Sequence, residues 1–155
     1  MTAPTTVAEL AASIYQTRQR TAQTVVRNRG MSIAEAERHL RPWLAIACIA
    51  GASLPEIDEL IADLEDMSRA SKHSMSPGAI RWLAAEEICP RSTWAPLLTK
   101  ARNQAFDRFL EADAEPARST AVSLQKVCLA LQHDVNGHRI PAYRHPSTRN
   151  LAMAA

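Results

Sequence analysis

Few residues in this 155-residue chain carry reactive or metal-binding chemistry, and their spacing decides what they can do. The thiols are Cys48, Cys89 and Cys128, and the imidazoles are His39, His73, His133, His138 and His145. Zinc needs four nitrogen or sulfur donors converging as a tetrahedron, most often supplied as close pairs such as C-x-x-C. The densest group, Cys128, His133, His138 and His145, has spacings of five, five and seven. It reads as one apolar-face thiol followed by solvated histidines, so no metal and no cofactor is expected. Three cysteines, odd in number and far apart, fit reduced thiols in a cytoplasmic protein better than a disulfide framework. The four glycines stand singly at element ends, which excludes a phosphate-cradling loop or a dinucleotide fingerprint. Neither G-x-S-x-G nor H-E-x-x-H occurs. The expectation is a protein without catalytic residues, and an enzymatic or metal-binding helical domain ranks third among the readings.

Charge is the next resource. The net charge of +2 hides an uneven layout. Residues 1–41 hold six Arg against three Glu, residues 42–70 one Arg against six acids, and residues 71–155 eleven Lys and Arg against seven acids. So small a total predicts no strong attraction to nucleic acid or anionic membrane from charge alone. Local patches remain. Glu56, Glu59, Asp63 and Asp66 fall along one side of a helix, where like charges a turn apart repel unless basic groups face them. They form either a solvated face helped by internal Arg or a docking surface for a basic partner. Arg139, Tyr143, Arg144 and Arg149 near the C-terminus are the complementary set, able to meet phosphates or carboxylates and to stack a ring.

A third set is Arg18, Arg20, Arg27 and Arg29, the candidates if the partner is nucleic acid. Arg18 and Arg29 fall on the apolar seam of their helix. Arg18 is therefore expected to bury its stem and pair with an acid of the 56–66 segment.

Residues 43–62, WLAIACIAGASLPEIDELIA, combine a small Ala47 four residues before Gly51, a branched Ile57 six after it, and Leu60 three further on. A small residue lets two helices cross closely, a glycine takes the turn, and two apolar side chains fill the angle. In this the segment resembles the helix-turn-helix pattern of bacterial DNA-binding domains, over 20 residues only. A recognition helix needs Arg, Lys, Asn, Gln or Ser near its start to reach bases and phosphates. Here that position offers Glu56, Asp58 and Glu59, which phosphate repels, so the segment is expected as a structural hairpin spanning 43–68.

The elements that position these residues follow from caps and periodicity. Thr6-x-x-Glu9, Ser32-x-x-Glu35 and Ser53-x-x-Glu56 read as capping boxes opening three helices. The first runs to Gly30 with Val7, Ala11, Ile14, Arg18, Thr21 and Val25 inward, at the four-three spacing of lengthwise packing. The second carries Ile33, Ala36, Leu40, Trp43, Ala47 and Ala50 inward, with a kink or break expected at Pro42. Its stretch Trp43 to Ala50 is apolar all round and should be central. The third runs to about Ser68 with Leu54, Ile57, Ile61 and Leu64 inward. A fourth begins at Ser76-Pro77, with Pro at the first helical position, and ends before Pro90. The fifth runs from Thr93 or Trp94 to Leu110 with Trp94, Leu97, Ala101, Ala105 and Phe109 inward. The sixth covers Ser119 to Gln132 through Val122, Leu124, Val127, Cys128 and Leu131.

The expected architecture is all-α, a single bundle of five to seven helices over 1–133 with an extended or partly disordered basic tail over 134–155. No apolar run is long enough to span a bilayer, and no secretory signal is visible at the N-terminus. A cytoplasmic setting follows. The leading function is a non-enzymatic interaction protein that binds a protein or nucleoprotein partner through the acidic helix, the basic tail or both. The alternative is a DNA-binding transcriptional regulator built on the hairpin. Self-association into a homo-oligomer is compatible with either.

Overall fold

Local hydrogen-bonding chemistry starts and stops the helices. In a computed structural model, which describes residues 6–71, 75–112, 114–132 and 140–146, six helices and no strand occur among the described residues. Helix α1 (Val7–Arg27) opens where Thr6 Oγ1 accepts from the amide of Glu9 at 3.1 Å. It closes through two reversed bonds, the Arg29 amide to the Val26 carbonyl and the Gly30 amide to the Val25 carbonyl. This is a Schellman stop. The left-handed residue in it is Arg29, at φ 61°, rather than Gly30. Gly30 serves a different need: a Cβ there would lie 2.8 Å from Cγ1 of Val25.

Helix α2 (Ile33–Ile49) opens on the expected box, with Ser32 Oγ accepting from the Glu35 amide at 3.1 Å. Of the kink or break expected at Pro42, the break does not occur, and the helix continues through it. Pro42 is buried together with Trp43, Ala45, Ile46, Ala47 and Cys48, and that burial outweighs one missing backbone bond. A second Schellman stop ends α2, using Gly51 at φ 97° and bonds from Gly51 to the Cys48 carbonyl and from Ala52 to the Ala47 carbonyl. Helix α3 (Pro55–Ala70) is capped differently from expectation. Its N-cap is Leu54 without a side-chain bond, Pro55 takes the first helical position, and Ser53 donates instead to Asp58 Oδ2 at 2.7 Å.

Helix α4 (Pro77–Ile88) opens as expected, with Ser76 Oγ accepting from the Ala79 amide. Helix α5 (Arg91–Ala112) begins sooner than expected, because the Pro90 carbonyl already accepts from Thr93 and Trp94 while Glu86 Oε1 accepts from the Arg91 amide. Helix α6 (Ala117–Leu131) starts two residues before Ser119.

The chain divides into two compact units, Met1–Trp94 and Ala95–Ala155. In the first, α2 packs on α1 and on α4, and α4 also packs on α3. The core holds Leu10, Ala11, Tyr15, Trp43, Ile46, Ile57, Ile80 and Ala84. A fully buried side chain such as Ile57 contributes about 1.5–3 kcal/mol. The buried face of α1 is Leu10, Ala11, Tyr15 and Ala22, rotated from the expected seam so that Arg18 and Thr21 are exposed. Ile33, expected inward on α2, is 68% exposed. Two arginines tie α2 and α4 together. Arg81 Nη1 donates to the carbonyls of Cys48 at 2.9 Å and Ala52 at 3.1 Å, and Arg41 Nε donates to the Ile88 carbonyl at 3.0 Å.

In the second unit α5 buries Ala95, Leu98, Arg102 and Ala105, whereas Leu97, expected inward, is exposed. The register turns on Arg102, only 2% exposed, whose guanidinium donates to Asn103 Oδ1 and whose charge acts on the Cys128 thiol. A charge on the seam does not register in an apolar pattern. On α6, Ala121, Leu124, Val127, Cys128 and Leu131 are buried, but Val122 faces solvent. Residues 140–145 have no regular structure, yet Ile140 is buried. The expected boundary between bundle and tail, at 133/134, lies outside the described residues.

Candidate docking surfaces

The acidic face is built by α3. Pro55 fixes where the helix begins, and Ile57, Ile61 and Leu64 turn one side inward. Helical geometry then sends Glu56, Glu59, Asp63 and Asp66 outward, and all four are exposed. One of them has a countercharge: Asp66 pairs with Arg69 on the same helix. Glu56 makes itself felt at Tyr15, whose phenol is pushed up by burial and further by the Glu56 charge. Met67, 68% exposed, borders the stripe. The partner expected for these acids, Arg18, is elsewhere. Its guanidinium lies 3.7 Å from the ring centroid of Trp43, and burial against the indole holds its pKa below the ordinary value. A cation on an aromatic face replaces the expected ion pair.

Arg20 and Arg27 of α1, and Arg29 just after it, are exposed as Arg18 is. Arg20 donates to Thr17 Oγ1 at 3.3 Å, Arg27 closes the last helical turn, and Arg29 holds the left-handed stop. They fall on the exposed end of α1 and its loop, apart from the Arg18–Trp43 stack.

Of the C-terminal set, Tyr143 and Arg144 are described, while Arg139 and Arg149 lie outside the described residues. Tyr143 is committed internally. Its ring stacks on Phe106 with centroids 4.7 Å apart, and its hydroxyl donates to Asp107 Oδ1 at 2.9 Å. Phe106 was not singled out in the sequence because nothing local pairs it with a residue far along the chain. Arg144 is exposed. Of the candidate metal group, Cys128 is buried and His145 exposed, while His133 and His138 lie outside the described residues. No group of His, Cys, Asp or Glu suited to a metal occurs among the described residues.

The helix-turn-helix-like segment folds as two helices around Gly51, with Ala47 and Ile57 both fully buried. The start of α3 presents Glu56, Asp58 and Glu59 to solvent, the reverse of the charge that phosphate recruits. The residue most engaged near this turn, Arg81, spends its donors on the carbonyls of Cys48 in α2 and Ala52 in the turn. Only its position on a different helix, opposite the turn, reveals that role.

The three thiols are free and buried. Burial pushes each up, Cys128 to about 11, with Arg102 pulling the other way. Such thiols are poor nucleophiles. No helix among the described residues is long and apolar enough to cross a membrane. No known protein family, curated protein or solved structure matches this chain.

Proposed function

We propose that this chain is a non-enzymatic interaction protein that docks a basic protein segment, free or within a nucleoprotein complex, on the outward face of α3. One observation carries the reading: Glu56, Glu59, Asp63 and Asp66 are all exposed along one helix side, with Arg69 as their one ion-paired countercharge among the described residues. Like charges a turn apart raise the free energy of the unbound helix, and a Lys- or Arg-rich partner relieves that repulsion while being steered to it. Met67 beside the stripe offers an adaptable apolar contact. Tyr143 is spent on Phe106 and Asp107, whereas Arg144 of the same C-terminal set is exposed. The free thiols support a cytoplasmic setting.

A DNA-binding regulator is the second reading, favoured by the exposure of Arg20, Arg27 and Arg29 at one end of α1. One titration separates the two. Fluorescence anisotropy with a labelled oligo-lysine peptide and with a labelled generic duplex is followed at low and physiological salt. Docking on α3 predicts peptide binding that weakens about tenfold or more in Glu59→Lys/Asp63→Lys and is little changed in the control Glu87→Lys/Glu111→Lys. Duplex binding that falls steeply with salt, without peptide binding, overturns it in favour of the regulator.

A further inference from the structure

The loop-proximal halves of α1 and α2 enclose an open groove of about 330 Å³. Its floor is apolar, made by Ala22, Ala36 and Leu40, and Ile33 stands at its edge with 68% of its surface in water. Arg27 of α1 and Glu37 of α2 line it from opposite helices and make no ion pair with each other. The patch thus holds a projecting branched side chain, a recess floored by two alanines and a leucine, and one charge of each sign. Those are the two halves of a self-complementary surface, in which residue i meets residue j and j meets i under a twofold axis.

We propose that two copies of this chain pair through this groove, α1 and α2 of each forming a four-helix arrangement. Ile33 of one copy enters the groove of the other, and Arg27 of each meets Glu37 of its partner. A basic or acidic peptide matches the surface less well, because one rim charge would oppose it. Burying Ile33 twice removes from water the most exposed large aliphatic side chain of α2. The groove-lining positions Ala22 and Val26 of α1, and Ile33, Ala36 and Leu40 of α2, recur at the three- and four-residue spacing that suits lengthwise helix packing. This surface is separate from the α3 face, and its test reads mass rather than peptide binding.

The experiment is sedimentation equilibrium of the full chain over a wide concentration range, on the natural sequence and four variants. A dimer is expected. Arg27→Glu and Glu37→Arg each weaken it by about tenfold or more, and the two reversals together restore it. Ile33→Asp abolishes the dimer with an unchanged circular dichroism spectrum, because an acid at the first helical position suits the helix N-terminus. A natural sequence that stays monomeric throughout overturns the proposal. So does a dimer that survives Ile33→Asp, or paired reversals that fail to restore what each one broke.

Discussion

Arg81 and Cys48 are bonded to each other twice, in opposite senses. The guanidinium of Arg81 donates to the Cys48 carbonyl at 2.9 Å, while the Cys48 thiol donates to the Arg81 carbonyl at 3.5 Å. The first bond satisfies a carbonyl at the end of α2, and its positive charge sits where the helix dipole is negative. The second holds α4 in register against it. Neither α2 nor α4 has a basic residue in its own last turn, so each is served by an arginine of the other, Arg81 for α2 and Arg41 for α4.

Removing the Arg81 guanidinium leaves the Cys48 and Ala52 carbonyls without a charged donor. Arg81→Met should cost about 2–3 kcal/mol, and Arg81→Lys should recover only part of it because one ammonium cannot reproduce the fork. Urea unfolding followed by circular dichroism measures both.

The stop of α1 places strain on Arg29, a non-glycine residue at φ 61°. Arg29→Gly should stabilise the protein by about 0.5–1 kcal/mol, since glycine adopts that conformation freely. Gly30→Ala should do the opposite, because its new methyl meets the stiff Val25 side chain at 2.8 Å. Melting temperatures of the two variants should move in opposite directions.

The Cys128 thiol, pushed up to about 11, keeps in the folded state a proton that the unfolded chain releases near its ordinary value of 9.0. Its contribution is complete below about pH 9 and lost as pH rises toward about 11, a total of about 2–3 kcal/mol. Cys48, Cys89 and Tyr15 are raised as well and act in the same direction. Stability should therefore fall on the alkaline side, and less steeply in Cys128→Ala than in the natural sequence. Denaturant titrations at about pH 8 and about pH 10.5 give the comparison.

Tyr143 anchors residues 140–146 by a stack and a hydrogen bond. Tyr143→Phe keeps the stack on Phe106 and should cost about 1 kcal/mol, whereas Tyr143→Ala loses both and should cost clearly more. Thermal unfolding of the two variants separates the contributions. Equal losses would place all the energy in the hydroxyl.

What could be read from the sequence was what is decided within one turn of helix. Thr6, Ser32 and Ser76 cap where their spacing to Glu9, Glu35 and Pro77 says they should, because cap and amide are neighbours along the chain. Ser53 shows the limit of that logic. Its spacing to Glu56 is right, but Pro55 claims the first position and Asp58 takes the hydroxyl. Registers were less legible. On α5 the seam passes through Arg102, which an apolar pattern skips, so that pattern points Leu97 inward where Leu98 is the buried residue. The acidic stripe was visible because helix spacing alone sets it. The fate of Arg18 was not, since a carboxylate and the face of Trp43 both attract a guanidinium and only tertiary packing decides between them.

The uncompensated face of α3 has a consequence in ionic strength. Folding brings Glu56, Glu59, Asp63 and Asp66 closer together than they are in the unfolded chain, with Arg69 as the one ion-paired countercharge among the described residues. Added salt shortens the distance over which they repel, to about 8 Å at physiological strength and about 3 Å at molar strength. A protein whose surface electrostatics were dominated by ion pairs would lose stability under that screening. Here the screened term is a repulsion, so moderate salt should strengthen the fold while weakening any complex that the same four carboxylates make.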